Sequence, residues 1–197
     1  PLHNVVSIAP FGSTDPRIAT KALHDLHKTI PAMNASWDKL NLVYLTSFSF
    51  DSYLLFLRSP ISKIEDLRGR KIAAAAANLP WLESTGAVGI SGTAATAYSD
   101  LKSGVFDGAI NSAMLSIGGK LYEVAPHVIK TNFGAINAFE IVVNKTRWAT
   151  LPADVQKALR TSADNLQESV VARIARETEA AFATMERGGA KITQLSR

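Results

Sequence analysis

The chain of 197 residues contains no cysteine and no long apolar run. The lack of cysteine excludes disulfide bonds, zinc–cysteine sites and catalysis by a thiol. It leaves the cellular compartment open, because oxidising and reducing compartments both accept such a chain. No apolar run reaches the roughly 18–20 residues of a membrane-spanning helix, so we do not expect the chain to span a membrane. A basic segment followed by an apolar one is also missing at the start, so we expect any signal peptide to have been removed or left out.

Charged residues are scarce too, at 19%, whereas apolar residues make up 47%. A disordered chain would show the opposite balance, so we expect a folded core in one large domain or two small ones. The 21 Lys and Arg exceed the 17 Asp and Glu by 4, and they are scattered. The densest group, Arg68-Gly69-Arg70-Lys71, is typical of a solvated turn before a strand. Nucleic-acid binding would need a stripe of cations with interleaved aromatic residues, so we expect no nucleic-acid partner.

Short apolar segments alternate with helical patterns along the first 150 residues. Asp15 and Pro16 predict a helix start, and Pro31 predicts its end. The apolar face of this helix is predicted from its spacing to be Ile18, Ala22, Leu26 and Ile30. The predicted strands are 42–48, 53–57, 71–75, 105–111 and 139–143, and further helices are predicted at 63–67, 93–104 and 115–124. This alternation indicates an α/β fold with mostly parallel sheets covered on both faces.

The most regular pattern is a helix predicted over residues 152–187. Apolar side chains recur at steps of three or four from Val155 to Met185, and Gly188-Gly189 follows them. A helix of this length is about 54 Å long, which is more than the width of a small domain. We therefore expect it to run across more than one structural unit or to project into a partner.

The sequence lacks the common catalytic motifs. Neither a nucleophile elbow of the G-x-S-x-G type nor a glycine-rich phosphate loop is present, and the acidic residues are dispersed. His24 and His27 lie three apart on a predicted helix and could in principle share a metal, but a third ligand at a recognisable spacing is missing. The alternative is two half-exposed histidines on an amphipathic helix. We expect no metal, no cofactor and no enzymatic activity.

Aromatic and amide side chains fall at predicted strand ends, where open α/β sheets bind ligands. They are Phe48, Phe50, Tyr53, Trp81, Asn111, Asn132, Phe133 and Asn137. Aromatic walls with a few amides suit a small polar organic ligand. For each aromatic taken alone, packing in the core is the favoured interpretation. Asn111 is the stronger candidate, because an amide just after the Asp107-Gly108 strand signal seldom serves packing.

Five groups of motifs between residues 58 and 193 resemble, in order and spacing, those of the solute-binding proteins of TRAP transporters, the DctP family. They are Pro60-Ile61 with Glu65-Asp66-Leu67-Arg68-Gly69-Arg70-Lys71-Ile72; Gly86-Ala87 with Tyr98-Ser99-Asp100-Leu101-Lys102-Ser103-Gly104-Val105-Phe106-Asp107-Gly108; Lys120-Leu121-Tyr122-Glu123-Val124 with Thr131-Asn132; Val143-Asn144-Lys145 and Trp148 with Leu151-Pro152-Ala153-Asp154-Val155-Gln156-Lys157; and Gly189-Ala190-Lys191-Ile192-Thr193. The residues before 58 match only loosely.

The resemblance implies a two-lobed fold of the periplasmic-binding-protein type, with a long helix that braces both lobes. Its segments would be 1–57 (remnant of lobe I and crossover), 58–131 (lobe II), 132–150 (return strand into lobe I) and 151–197 (long helix and following strand). It also implies a periplasmic receptor that closes around a small-molecule solute and delivers it to the membrane permease subunits. Association with the membrane would then be indirect.

The sequence departs from the family pattern at the expected site. The arginine that usually grips a ligand carboxylate is replaced by Ala73. A second arginine, which some members have, would fall near Tyr53 and is also missing. An aromatic residue that commonly covers the ligand is replaced by Ala94. Asn111 keeps the family's asparagine. Strand alternation turns Arg70 to the face opposite Ala73, so it does not substitute. The ligand-binding residues we expect are Asn111, Ala73, Ala76, Trp81, Tyr53, Phe50, Ala94, Asn132 and Phe133.

Two hypotheses follow from the missing arginine. The solute lacks the usual carboxylate, or its acid is held by backbone N–H groups or another side chain. Two other functions stay open: a ligand-sensing domain of a cytoplasmic transcriptional regulator, and an enzyme on the same scaffold.

We also expect the chain to be a fragment. Members of the family are longer, and this chain lacks the opening units of the first lobe and the C-terminal end. Exposed sheet edges would then invite pairing between copies, as a homo-oligomer. We expect a longer chain to bind solute where this one binds weakly or not at all.

Overall fold

The computed structural model describes residues 2–3, 10–93, 95–131, 133–135 and 138–195, which divide into two compact units. Unit 1 comprises Pro1–Asp51 and Gly134–Arg176, and unit 2 comprises Ser52–Phe133 and Glu177–Arg197. The four segments expected from the resemblance use different boundaries, and they stay a prediction.

Helices and strands alternate along the described chain. The helices are α1 (Pro16–Thr29), α2 (Pro31–Asp38), α3 (Ala97–Ser103), α4 (Ala113–Gly118), α5 (Leu121–Val124), α6 (Lys145–Ala149) and α7 (Ala153–Arg187), and 3₁₀ turns span Ile64–Leu67 and Ala76–Leu82. The strands are β1 (Leu42–Ser49), β2 (Tyr53–Leu57), β3 (Lys71–Ala74), β4 (Val88–Ser91), β5 (Gly108–Ser112), β6 (His127–Ile129), β7 (Ala138–Asn144) and β8 (Lys191–Thr193). None of the helices in the described part of the chain is long and apolar enough to cross a membrane.

Unit 1 contains the antiparallel pair β1 and β7, with helices packed against it. The two strands run in register from Leu42 opposite Asn144 to Ser49 opposite Ala138, with one irregularity between Tyr44 and Thr46. A small core forms behind this pair from Leu45 of β1, Trp148 of α6 and Ala163 of α7. The Arg160 guanidinium lies over the Trp148 ring, 5.0 Å from the ring centroid, in a cation–π contact.

Helix α1 begins as predicted but buries a different face. The Asp15 side chain accepts the Arg17 N–H, and Pro16 occupies the first turn. The residues that α1 buries are Thr20, Leu23 and His27, whereas Ile18 is 60% exposed and Ile30 is 41% exposed. The predicted apolar face is therefore wrong, because the helix turns a threonine and a histidine inward for hydrogen bonds that the spacing of apolar residues does not reveal.

Unit 2 contains a six-stranded sheet in the order β4-β3-β5-β2-β6-β8. Strand β3 is parallel to β4 and to β5, and β6 is parallel to β8. Strand β2 lies between β5 and β6 and is antiparallel to both. The α/β class is confirmed, and the sheet is mostly parallel: five of its six strands run in the same direction, and only β2 is reversed.

Helices, turns and loops cover both faces of this sheet. One face carries Leu54 and Phe56 of β2 against α3, α5 and the end of α7. The other face carries Leu55 and Leu57 against the 3₁₀ turns. All five residues of β2 are buried, as expected for a central strand covered on both sides.

The long helix is confirmed as α7, with 35 residues. Its residues up to Arg176 belong to unit 1 and those from Glu177 to unit 2. The predicted helix over 115–124 is instead two helices, because Lys120 adopts a left-handed backbone with φ of 50°. The strand predicted from residue 105 begins at Gly108, because the backbone N–H groups of Val105 and Phe106 both donate to Asp100 O and form a turn.

Candidate functional site

Four strands of unit 2 bring their ends to one edge of its sheet. Strands β3, β4 and β5 are parallel and end at this edge. Strand β2 is antiparallel and begins there, with Tyr53 opposite Ser112 and Leu54 opposite Asn111. This reversal places Tyr53 and Asn111, which are 58 positions apart in the sequence, next to each other.

A cavity of about 170 Å³ opens at this edge, and we call it the strand-end cavity. It is lined by Tyr53, Ala73, Ala74, Ala75, Gly92, Thr93, Ala97, Ala109, Ile110, Asn111 and Leu115. None of these side chains is charged, and most are small and apolar. Its polar groups come from Tyr53, Thr93 and Asn111. Such a lining, apolar with a few polar groups, is typical of a site for a small organic molecule.

Asn111 supplies a hydrogen-bond donor to the strand-end cavity. Its Oδ1 accepts the N–H of Ser112 at 2.9 Å, which fixes the orientation of the amide. The Asn111 Nδ2 group has no partner within the described residues and is available to donate to a carbonyl or hydroxyl oxygen.

An aromatic cluster adjoins the cavity through Tyr53. The Tyr53 ring meets Trp81 edge to face at 5.6 Å, and Trp81 stacks on Phe133 at 5.2 Å. Tyr53 and Phe133 are buried, whereas Trp81 is half-buried. The structure thus brings together three of the aromatic residues that were predicted as ligand-binding.

The remaining predicted site residues are placed elsewhere. Ala76 is exposed on the 3₁₀ turn after β3 and does not line the cavity. Phe50 belongs to unit 1, where its ring lies 5.3 Å from Phe139. Ala94 and Asn132, together with Asn137 at a predicted strand end, lie outside the described residues.

Several residues that lie beside the predicted ones were not predicted from the sequence. Phe139 is 43% exposed and lies between Phe48 and Phe50 in unit 1, and its position at the start of a predicted strand was the available signal. Thr93 lines the strand-end cavity, and its place ahead of a predicted helix was a similar signal. The small lining residues Gly92 and Ala109 carry no signal of their own.

Three arginines of unit 2 gather at the opposite end of the sheet. Arg58, Arg68 and Arg70 border a second depression there, with Asp107. The Arg70 guanidinium donates to the carbonyl oxygens of Ser59, Pro60 and Asp66, so it holds the turn before β3. This agrees with the prediction that Arg70 does not take the place of the missing ligand-gripping arginine.

The histidine pair of α1 is not arranged as a metal site. The Asn34 amide donates to His27 O, so Asn34 Oδ1 accepts from His27 Nδ1 at 3.1 Å. His27 Nε2 then accepts from His3 Nδ1 at 2.9 Å, and no ring nitrogen of His27 is left for a metal. Burial lowers the pKa of His27, and burial with the nearby Lys28 lowers the pKa of His24.

One further expectation about this pair is corrected. His27 is buried rather than half-exposed, because its ring is enclosed by its hydrogen-bond partners and by Tyr44. Within the described ranges, no three His, Asp or Glu side chains come together as metal ligands.

Comparison with known proteins identifies the family. The model of the DctP family, described as bacterial extracellular solute-binding protein, family 7, matches residues 2–197. A curated relative, the C4-dicarboxylate-binding periplasmic protein DctP of Shewanella loihica, is 26% identical over 108 residues. That match covers 54% of this chain and 32% of the relative, so the chain matches about a third of the relative's length.

Solved structures with the same fold come from TRAP solute-binding proteins. One from a marine metagenome, specific for pyroglutamate, has a TM-score of 0.85 at 22% identity, with 100% of this chain and 63% of that chain covered. One from Sulfitobacter sp. NAS-14.1, with bound β-D-galacturonate, has a TM-score of 0.80 at 20% identity, with 100% and 67% covered. The fold expected from the resemblance is confirmed. With its motifs, its fold and a family match over almost its whole length, this chain belongs to the DctP family, the bacterial extracellular solute-binding proteins of family 7.

Proposed function

We propose that the chain acts as the solute-binding receptor of a TRAP-type transporter. It captures a small organic solute in the periplasm, by contacts that include the strand-end cavity, and delivers it to the membrane permease subunits. Family membership supports this function, and the periplasmic location of the curated relative supports the compartment. The related structures are transport proteins, which favours binding over catalysis.

One observation carries the proposal: Tyr53, Ala73 and Asn111, selected from the sequence, line a single cavity at the strand-end edge. In an open α/β sheet this edge is where ligands bind, because strand ends leave a crevice that helices do not fill. Asn111 donates to the solute through Nδ2, Tyr53 forms an aromatic wall, and Ala73 leaves room at the base.

Of the other predicted ligand-binding residues, those that the structure describes do not line the strand-end cavity. Trp81 and Phe133 extend the aromatic wall that begins at Tyr53. Phe50 lies in unit 1 beside Phe139, and its role in binding stays a prediction. The roles of Ala76, Ala94 and Asn132 rest on the family resemblance alone.

Isothermal titration calorimetry with a panel of small organic acids, amides and sugars tests the function. The panel includes pyroglutamate and galacturonate, which are bound by two related structures. At least one compound should bind wild-type protein, and Asn111→Ala should weaken that binding about tenfold through the lost hydrogen bond. Asn165→Ala removes an exposed amide from α7 in unit 1 and serves as the matched control.

Two outcomes would contradict the proposal. One is a panel in which no compound binds either this chain or the longer chain expected from the family resemblance. The other is a compound that binds Asn111→Ala and wild-type protein equally well, because the strand-end cavity would then not be the site.

Pairing between copies stays a prediction. Within the described residues, β1 and β7 pair only with each other, so each leaves one edge unpaired. An unpaired edge can accept a strand from another copy. Light scattering coupled to size-exclusion chromatography measures this, and a monomer at micromolar concentration would contradict it.

A further inference from the structure

We propose that the solute presents an uncharged group with a hydrogen-bond acceptor, such as an amide, lactam, ester or hydroxyl, to the strand-end cavity. This inference rests on the proposed function and adds the chemical class of the group that unit 2 recognises. Three features of the cavity support it: the charge of its lining, the state of its backbone N–H groups, and its free side-chain donor.

The first feature is the absence of charge. Among the residues that the structure describes, no charged side chain lines the strand-end cavity. Lys71, the basic residue nearest in sequence to Ala73, is exposed at the start of β3 and does not line the cavity. Arg58, Arg68 and Arg70 border the depression at the other end of the sheet. A carboxylate in the cavity would lose hydration without gaining a counter-charge, which is unfavourable.

The second feature concerns backbone N–H groups, which could hold an anion without a cation. Four of those beside the cavity already have acceptors. The Ser112 N–H donates to Asn111 Oδ1, and the Leu115 N–H donates to Ser112 Oγ. The Gly92 and Ala97 N–H groups donate to the carbonyl oxygens of Ala74 and Thr93. These groups would have to give up internal bonds to bind an anion.

The third feature is the pair of polar groups that remain. Asn111 Nδ2 is a free donor, and the Thr93 hydroxyl makes only a long contact of 3.4 Å with the Thr96 hydroxyl. Two neutral groups match one or two neutral acceptors on the solute. The surrounding alanines, Ile110 and Leu115 suit its apolar carbon atoms.

Matched pairs of probes test the charge assignment directly. Pyroglutamate is compared with pyroglutamamide, and galacturonate with its methyl ester, by calorimetry on the wild-type chain. Within a pair that binds, the uncharged member should have a dissociation constant at least about tenfold lower, because only the acid buries an unpaired charge.

A pair of variants then tests whether the strand-end cavity itself distinguishes the acid from its uncharged counterpart. Thr93 is exposed at the rim, so Thr93→Lys adds a cation beside the cavity without disturbing the core, and Thr93→Met is the control of similar length. Both variants lose the Thr93 hydroxyl, so the difference between them isolates the added charge. Compared with Thr93→Met, Thr93→Lys should shift the ratio of the two dissociation constants towards the acid by about tenfold.

The outcomes separate the inference from the proposed function. Tighter binding of the acids by wild-type protein overturns the inference and leaves the receptor function standing. A preference for the uncharged members that Thr93→Lys does not alter also overturns it, because the discrimination would lie elsewhere. Failure of every compound of the panel to bind either this chain or the longer chain contradicts the proposed receptor function, on which the inference depends.

Discussion

The imidazole ring of His27 lies flat on the phenol ring of Tyr44, with 3.7 Å between ring centroids and 4° between ring planes. The ring nitrogens of His27 are hydrogen bonded to Asn34 Oδ1 and His3 Nδ1. The Tyr44 hydroxyl is hydrogen bonded to Ser47 Oγ at 2.7 Å. Burial raises the pKa of Tyr44 to about 12. Unit 1 thus contains a polar core in which burial favours the neutral forms of His27 and Tyr44, with the pKa of His27 lowered and that of Tyr44 raised.

Replacement of His27 should destabilise unit 1. His27→Ala removes the stacked ring and leaves Asn34 Oδ1 and His3 Nδ1 without their partners, so we expect a loss of about 2–4 kcal/mol in the free energy of unfolding. Denaturation by urea, followed by circular dichroism, measures it. Lys28→Ala, at an exposed neighbouring position, is the control and should change stability by less than about 0.5 kcal/mol. Equal stability of the two variants would contradict the role of His27.

Stability should also fall in mildly acidic solution. Burial lowers the pKa values of His24, His27 and His127 below the ordinary 6.5. Between the folded and the unfolded pKa values the unfolded chain therefore binds more protons, so the stabilisation present above about pH 6.5 is lost as the pH falls. Urea midpoints at several values from about pH 7 to about pH 5 measure the slope.

Carboxyl groups with lowered pKa values affect the stability only at a pH below the range in which the histidines titrate. Hydrogen bonds from Arg17 and from Ser62 lower the pKa values of Asp15 and Asp66 below 3.8.

His27→Gln should reduce the slope of stability against pH near neutrality. A wild-type midpoint that stays constant over the range would show that the histidines do not contribute.

Gly108 should not tolerate a side chain. A Cβ atom there would lie 2.6 Å from both Leu57 Cδ2 and Phe56 O, so Gly108→Ala forces β2 and β5 apart and should cost about 1–3 kcal/mol. Gly118, at the end of α4, has open space around its Cα, and Gly118→Ala is the matched control that should be neutral or slightly stabilising. Melting temperatures compare the two, and similar values would show that the sheet can relax.

Arg70 should stabilise the fold without contributing to solute affinity. Its three donations to backbone carbonyl oxygens hold the turn before β3, so Arg70→Met should cost about 1–2 kcal/mol of stability. The Arg68 guanidinium makes no hydrogen bond or ion pair within the described residues, so Arg68→Met should cost much less. A change of solute affinity in Arg70→Met at unchanged stability would contradict this assignment.

Trp81 should report solute binding by its fluorescence. It contacts Tyr53, which lines the strand-end cavity, and it is half-buried, so a bound solute changes the surroundings of its indole ring. The signal should disappear in Trp81→Phe. It should persist in Trp148→Phe, because Trp148 lies in the core of unit 1. Loss of the signal in Trp148→Phe alone would place the affected tryptophan in unit 1.

Local signals in the sequence predicted much of the secondary structure. The start of α1 at the Asp15 cap, strand β2 and helix α7 appear within one residue of their predicted bounds. Strand β4 was missed because its four residues include a glycine and a serine and give no apolar run. Pro31 was interpreted as an end, but it also starts α2, since proline fits the first turn of a helix.

The candidate site was only partly accessible from the sequence. Asn111 was selected because an amide at a strand end is unusual, and Tyr53 and Ala73 because they replace expected residues of the family. That these three share a cavity depends on the direction of β2. Antiparallel and parallel pairing both allow the same run of apolar residues in a central strand, so composition does not decide between them. Their role in binding stays a prediction.

The sequence by itself determined the α/β class, the long helix and the family, because periodicity, capping residues and ordered motifs are properties of neighbouring residues. Only the tertiary structure decided which face α1 buries, that β2 is reversed between β5 and β6, and that the strand-end cavity has no charged lining. These features depend on contacts between residues far apart in the chain, such as Tyr53 with Ser112. Burial, hydrogen bonding and strand pairing select them together, and no local pattern encodes them.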